Sequence, residues 1–336
     1  MKTYSLVFFA FFPFLMVLNQ ASELMPSDSV IPVKQNSTGI KSVTAKIVFK
    51  SVDGGRTWQD ITEGLPDNSG QEGFMIGGGF ATSNGFYLRA GDGLFFNKQN
   101  STVPNWSKEI LSDNQVAMFP SKTGILAFNY NNGQILQTIE GKKDWLPIYR
   151  NFQSKDVVTF FETDKGTVFI GTNSGLFKFS DAEKAWNPVF AASKGVRKLV
   201  ESGGVLMGVT QKGIIRSTDN GDHWNLVTSE GDHGMDVQRI NGGFAAITES
   251  QERRFRVRTS HDNGNTWQSI DDGLPVYVFN IVEVGENLFC SHQNGISGSS
   301  DNGKTWKLLL PSIDHDIFNL SVSGNVIYAM RNVGGC

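Results

Sequence analysis

Four stretches of this 336-residue chain repeat one pattern of a polar turn followed by tryptophan: "SVDGGRTW" (Ser51 to Trp58), "STDNGDHW" (Ser217 to Trp224), "SHDNGNTW" (Ser260 to Trp267) and "SSDNGKTW" (Ser299 to Trp306). Weaker copies end at Trp106 ("QNSTVPNW"), Trp145 ("TIEGKKDW") and Trp186 ("FSDAEKAW"), so all seven tryptophans are used, one per repeat. Their spacings are 48, 39, 41, 38, 43 and 39 residues, and an apolar residue follows each Trp by three or four places, from Ile61 to Leu309. A period near 40 residues, sustained over the chain, restricts the fold to a repeat architecture.

Between boxes the pattern is constant. In "VVTFFETDKGTVFIGTNSGLFKFSDAEKAWNPVF" (Val157 to Phe190) three apolar, β-prone runs are separated by Asp-Lys-Gly, Asn-Ser-Gly and the box, and a fourth run follows the Trp. Four short strands joined by Gly-containing turns make one antiparallel sheet. Equivalent runs open near Phe74, Val116, Val157, Val196, Val237, Val278 and Ile317. Neither the helices nor the rung length of a solenoid is present. The expected fold is all-β, a seven-bladed β-propeller of four-stranded antiparallel blades. The last repeat supplies only two strands and the first begins with the other two, so N- and C-terminal strands are expected to share one blade and close the ring.

The Ser-x-Asp-x-Gly-x-Thr-Trp pattern resembles the Asp-box, or bacterial neuraminidase repeat. This repeat is found in sialidases, sortilin-type receptors, xyloglucan-degrading hydrolases and photosystem II assembly factors. The resemblance implies the propeller, with each box between strands three and four on the face away from the usual ligand site. It does not imply an activity, because one fold carries many functions.

The box residues Asp53, Asp219, Asp262 and Asp301 are expected to accept backbone N–H bonds of their own turns. The following Gly supplies a conformation that side chains resist. Trp58, Trp224, Trp267 and Trp306 are expected to bury a ring between neighbouring sheets, worth about 3 kcal/mol. A calcium loop needs oxygen ligands at alternating positions and a Glu at the twelfth, which the boxes lack, so they are read as metal-free.

Residues 1–21 place Lys2 before an apolar run from Leu6 to Leu18 and a polar stretch ending at Ala21, the layout of a signal peptide. That run is short for a membrane span. Residues 22–40 read as a flexible leader and 41–336 as the propeller, a secreted or periplasmic monomer without a membrane span once the signal is removed. Net charge is −3, which gives no field for nucleic acid. The two cysteines, Cys290 and Cys336, are too few for a disulfide scaffold; pairing and a buried free thiol are both open.

Ligands of such a ring meet the loops between strands two and three and between blades. Six of the seven strand-two-to-three loops are short; the extended one, "TESQERRF", carries Glu249, Arg253 and Arg254. With Asp92, Tyr130, His292 and Arg331 these are the candidate ligand-binding residues. Arg254, Arg256 and Arg258 alternate along the following strand, either as an anion contact or as a solvated edge. The sialidase pattern of Arg-Ile-Pro is absent, since "FYLRAG" (Phe86 to Gly91) lacks Ile-Pro, and that family has six blades. No Ser-His-Asp signature, phosphate loop or metal cluster is present, and no cofactor is expected. The leading expectation is a non-catalytic module that binds a protein or glycan. The alternative is a carbohydrate-active enzyme at the central channel, using acids such as Asp156, Asp236, Asp314 and Asp316 or a set from His233, His292, His315, Tyr130 and Tyr149.

Overall fold

In the computed structural model the described residues are 46–66, 76–90, 93–109, 116–122, 124–139, 144–149, 151–154, 156–192, 194–228 and 233–332. The expected signal peptide and leader, together with Asp92 and Cys336, lie outside them. The chain enters as β1 (Val48–Ser51) and β2 (Gln59–Asp60). Blade one follows with β3 (Ile76–Thr82), β4 (Gly85–Ala90), β5 (Gly93–Lys98) and β6 (Trp106–Glu109). Blade two holds β7 (Val116–Pro120), β8 (Gly124–Asn129), β9 (Ile135–Ile139) and β10 (Leu146–Pro147). Blade three holds β11 (Val157–Glu162), β12 (Val168–Thr172), β13 (Gly175–Ser180) and β14 (Ala185–Ala191). Blade four holds β15 (Val196–Ser202), β16 (Val205–Thr210), β17 (Gly213–Ser217) and β18 (Asn225–Leu226). Blade five holds β19 (His233–Ile240), β20 (Gly243–Glu249), β21 (Phe255–Ser260) and β22 (Gln268–Ser269). Blade six holds β23 (Val278–Val284), β24 (Asn287–His292), β25 (Gly295–Ser299) and β26 (Lys307–Pro311). β27 (Phe318–Ser323) and β28 (Val326–Arg331) complete the set.

Each blade is a four-stranded antiparallel sheet, and the seventh has the order β2-β1-β28-β27. The expected seven-bladed ring with a shared closing blade is therefore the observed fold. First strands touch first strands all the way round, β27 against β3 included, so these strands line the channel. Second strands are covered on both sides by neighbouring blades; β8, β16 and β28 are buried at every residue. This explains their sequences, "GILAFN", "VLMGVT" and "VIYAMR", apolar up to a single polar residue at the end of each. Fourth strands are mostly exposed, and those of blades two, four, five and seven are only two residues long, which leaves little free edge to pair.

The boxes form a fixed hydrogen-bond set. In blade six the Ser299 hydroxyl donates to Asp301 Oδ1 (2.7 Å) and accepts the Gly303 N–H (2.8 Å). Asp301 Oδ1 accepts the Thr305 N–H (2.9 Å), and Oδ2 accepts the Thr305 hydroxyl (2.6 Å). The boxes of Asp53 and Asp262 repeat all four bonds. In blade four His223 replaces Thr, and its Nδ1 meets Asp219 Oδ2 at 2.6 Å. The glycine has a second duty beyond its positive φ. A Cβ on Gly303 (φ +81°) would lie 2.6 Å from Ile270 Cβ, and one on Gly221 (φ +83°) 2.3 Å from Phe169 Cζ, both in the preceding blade. The turn thus seats backbone directly on its neighbour.

The tryptophans differ from expectation in one respect: Trp58, Trp224, Trp267 and Trp306 are half-buried, not enclosed. The box sits at the rim, so one side of the ring covers a core cluster between two blades while the other meets solvent. Each of the seven core clusters has one box Trp packed against it. Trp306 Nε1 donates to Ile270 O (2.8 Å) and Trp106 Nε1 to Ile61 O (2.6 Å), binding each blade to the one before. A cation one place ahead of the box ties to the blade after. Lys50 Nζ donates to Gln99 O (2.7 Å) and Ser101 O (2.9 Å), Lys178 Nζ to Asn220 O (3.0 Å) and Asp222 Oδ1 (2.7 Å), and Arg216 Nη1 to Asn265 Oδ1 (2.6 Å).

Along the channel wall a polar chain crosses four blades. Lys198 Nζ donates to Asp236 Oδ1 (2.6 Å), Asn280 Nδ2 donates to Asp236 Oδ2 (2.8 Å), and Asn280 Oδ1 accepts the Leu320 N–H (2.9 Å). Lys198, Asp236 and Asn280 each follow a register shift in the first strand, which turns an extra side chain toward the next blade.

Arg331 closes the ring. It is 4% exposed. Its Nε and Nη2 donate to Asp316 Oδ2 (3.0 and 2.7 Å), Nη2 also to Asp314 Oδ2 (2.9 Å), and Nη1 to Lys46 O (2.8 Å). One guanidinium therefore gathers the last strand, the loop before β27 and the entry to β1. Asp314 is largely solvated and adds little; the bonds to Asp316 and the carbonyl carry the lock.

Three outcomes follow from these contacts. Gly303→Ala is expected to lower unfolding free energy by about 2 kcal/mol, because strain and overlap with Ile270 add, whereas Gly273→Ala, which has open space around it, pays only the conformational term; equal losses in urea unfolding would contradict the seating role. Arg331→Met is expected to cost about 3 kcal/mol, read in the same assay, and a loss below experimental error would refute the lock. Asp262 and Asp301 are pulled from 3.8 to about 2, first by the hydroxyls and then by the N–H groups of Thr266 and Thr305. Since a depressed folded pKa stabilises above the unfolded value, box stabilisation should persist above about pH 4 and fade as pH falls toward 2. A carboxyl NMR titration with ordinary midpoints would show the bonds to be absent in solution.

Candidate functional site

Antiparallel alternation places the box turns on one face of the ring and the strand-two-to-three turns, with the between-blade connections, on the other. On this loop face the extended segment of blade five closes on itself. Ser250 N–H donates to Arg254 O (2.8 Å), Arg253 N–H to Ser250 O (3.0 Å), Arg254 N–H to Ser250 Oγ (3.3 Å), and Ser250 Oγ to Glu252 Oε2 (2.9 Å). Arg253 takes φ +62° at the tip. The insertion is thus a compact turn that projects above the face.

Glu249 and Arg253 approach to 3.9 Å, a solvated contact of small energetic weight. The Arg254 and Arg256 side chains are exposed, and Arg258 Nη1 donates to Thr248 Oγ1 (3.4 Å). Register fixes their direction. Arg258 pairs with Ala246, which packs with blade four, so Arg256 and Arg258 face blade four; Phe255 and Val257 face blade six.

Several other candidate side chains are committed to structural bonds. His292 is 1% exposed; its Nε2 meets Ser297 Oγ (2.8 Å), its Nδ1 accepts the Asn294 N–H (3.2 Å), and burial lowers its pKa. The Tyr130 hydroxyl donates to Val157 O (3.0 Å) of the next blade, and burial raises its pKa. Tyr149 stands among Phe160, Phe179 and Trp186 and is pushed up to about 12, by burial first and then by Glu162 and Asp181. Arg331 is the ring lock, Asp316 is its partner, and Asp236 belongs to the channel chain. The histidines and tyrosines are not gathered: Tyr130 and Tyr149 follow strands of blade two, His233 opens blade five, His292 ends β24 and His315 precedes blade seven. His233, His315 and Asp156 are exposed. Cys290 is a buried free thiol with its pKa raised by burial, and its proposed partner Cys336 lies outside the described residues. Among the described residues no group of three or more His, Cys, Asp and Glu is placed to hold a metal ion.

The face carries a feature that motif reading missed, an aromatic seam between blades five and six. Phe255 packs edge-on to Tyr277 (centroids 5.6 Å, 72°) and to Phe279 (6.1 Å, 61°). Val276 and Tyr277 stand 59% and 41% exposed beside it. Phe279 is the extra residue at the register shift of β23, and the Gln293 N–H bonds to Tyr277 O, which fixes the connection against β24. The signal in the sequence was "PVYVF" (Pro275 to Phe279), an apolar run that begins before the strand requires one.

No family model and no curated protein matches this chain. Its fold is similar to that of solved propeller structures at low identity. YCF48 bound to D1 peptide is 14% identical, with a TM-score of 0.51 over 83% of this chain and 84% of that one. A catalytically inactive virginiamycin B lyase from Staphylococcus aureus with quinupristin is 12% identical, with a TM-score of 0.55 over 76% and 93%. The extracellular domain of a hybrid two-component system protein from B. thetaiotaomicron is 12% identical, with a TM-score of 0.50 over 74% of this chain, which spans only 39% of that one. At such identities the likeness concerns the fold, which binding domains and enzymes share. The chain is a seven-bladed β-propeller that resembles Asp-box-type propellers in structure.

Proposed function

We propose that this protein is an exported, non-catalytic binding propeller, and that the aromatic seam between blades five and six docks a segment of a protein partner. One observation carries the reading. The loop-face candidates His292, Tyr130, Asp316 and Asp236 are spent on structural bonds, His292 within its own turn, Tyr130 and Asp236 between blades and Asp316 on the Arg331 lock, while apolar side chains are left in water. A general acid or base needs a free proton-transferring atom at the cleft. A recognition surface needs exposed apolar area on a rigid support. Val276 beside Tyr277 offers an aliphatic and an aromatic surface together, which suits a peptide side chain better than a hydroxyl-rich sugar. Export rests on the apolar run of residues 6–18, and six of the seven strand-two-to-three loops are short, which favours a binding face over a walled substrate cleft.

A peptide array and a polysaccharide panel, each scored for binding and for release of reducing or unsaturated ends, test the proposal. Peptide binding without turnover is expected, and Tyr277→Ala should weaken it by about 2 kcal/mol while leaving the unfolding midpoint nearly unchanged. Turnover of any glycan overturns the non-catalytic reading. Glycan binding without turnover overturns the choice of a protein partner.

A further inference from the structure

On the box face, where three successive blades meet the channel, Ser202, Arg239, Ile240, Asn241, Gly242 and Glu283 line a pocket of about 270 Å³. Ser202 ends β15, Asn241 and Gly242 form the turn between β19 and β20, and Glu283 lies on β23. Glu283 Oε2 accepts the Asn241 N–H (2.5 Å). Glu201 holds the Asp164 N–H in the same way (2.5 Å), so this half of the carboxylate serves the fold. Oε1 of Glu283 has no protein donor among the described residues. Arg239 likewise has no carboxylate or carbonyl partner among them, and neither does the Ser202 hydroxyl. A guanidinium and a carboxylate therefore share one small pocket without pairing.

We propose that this pocket binds a small zwitterion of the α-amino-acid class, with its carboxylate on Arg239 and its ammonium on Glu283 Oε1. An anion alone would satisfy Arg239 and meet the Glu283 charge; a cation alone would do the reverse. A ligand carrying both charged groups on one carbon answers both, and the guanidinium fork matches a carboxylate in geometry. The volume is at the small end for ligand sites, which suits a ligand of a few heavy atoms. Burial raises the Glu283 pKa, against the opposing pull of the Asn241 N–H and of His261 nearby. The pocket lies on the face opposite the aromatic seam, so the two proposals stand or fall separately.

The test uses the purified protein with glycine and L-serine as probes, and acetate and methylammonium as single-charge controls, in saturation-transfer NMR and calorimetric titration. Glycine and L-serine are expected to bind saturably, with both controls weaker by about 10-fold or more. Arg239→Gln and Glu283→Gln should each weaken the amino acids by about 10-fold. Gln at 283 retains an oxygen for the Asn241 N–H, so the turn survives, and Tyr277→Ala should leave this binding intact. The proposal is overturned by no saturable binding at about 10 mM, by acetate binding as tightly as glycine, or by full affinity in Arg239→Gln.

Discussion

A four-stranded sheet with two apolar faces has no stable existence in water, and the whole molecule follows from that constraint. The second strands, buried at nearly every residue, demand a neighbour on each side. A linear stack would leave two faces bare at its ends. Closing the stack into a ring removes both ends, and the ring in turn needs a spacer that sets the distance between adjacent sheets. The box glycines provide it: backbone at Gly303 and Gly221 lies against Ile270 and Phe169 with no room for a methyl group. Local turn chemistry and long-range packing thus meet in the same residue.

Much of this was readable in the sequence because it is local and repeated. The bonds from Ser to Asp and from Thr to Asp span two and four residues, so each box announces itself within eight letters. Seven tryptophans then count the blades, and the split last repeat reveals the shared one. The role of the cation before the box was not legible, since Lys178 and Arg216 act on residues in the next blade. The partial exposure of the tryptophans was hidden for a related reason: it depends on the box being at the rim.

The loop face was less legible than the fold. His292 and Arg331 read as candidate ligands because polar residues at strand ends usually reach solvent. In the folded chain one fills the hydrogen-bond needs of its own turn, and the other ties the last strand and the loop before β27 to Lys46 at the far end of the described chain. The aromatic seam escaped notice because Phe255 and Tyr277 belong to different blades, each unremarkable in its own repeat. Alternation along β21 was legible, but not which neighbour each side would meet: the adjacent letters Phe255 and Arg256 address opposite sides of one sheet. Adjacency in sequence, here, is separation in space.

The contact between Arg331 and the Lys46 carbonyl joins residues 285 apart, and it imposes an order on the life of the chain. During synthesis β1 and β2 emerge first, yet β1 gains its inner partner only when β28 has been made. Until then the first hairpin presents an open edge and six blades lack the pressure of a closed circle. A ring of this kind cannot shut before its closing strand is present, so the shared blade forms only through pairing across nearly the whole described chain. The buried guanidinium thus sets the closure of the circle at a single point, where the two most distant strands of the chain share one sheet.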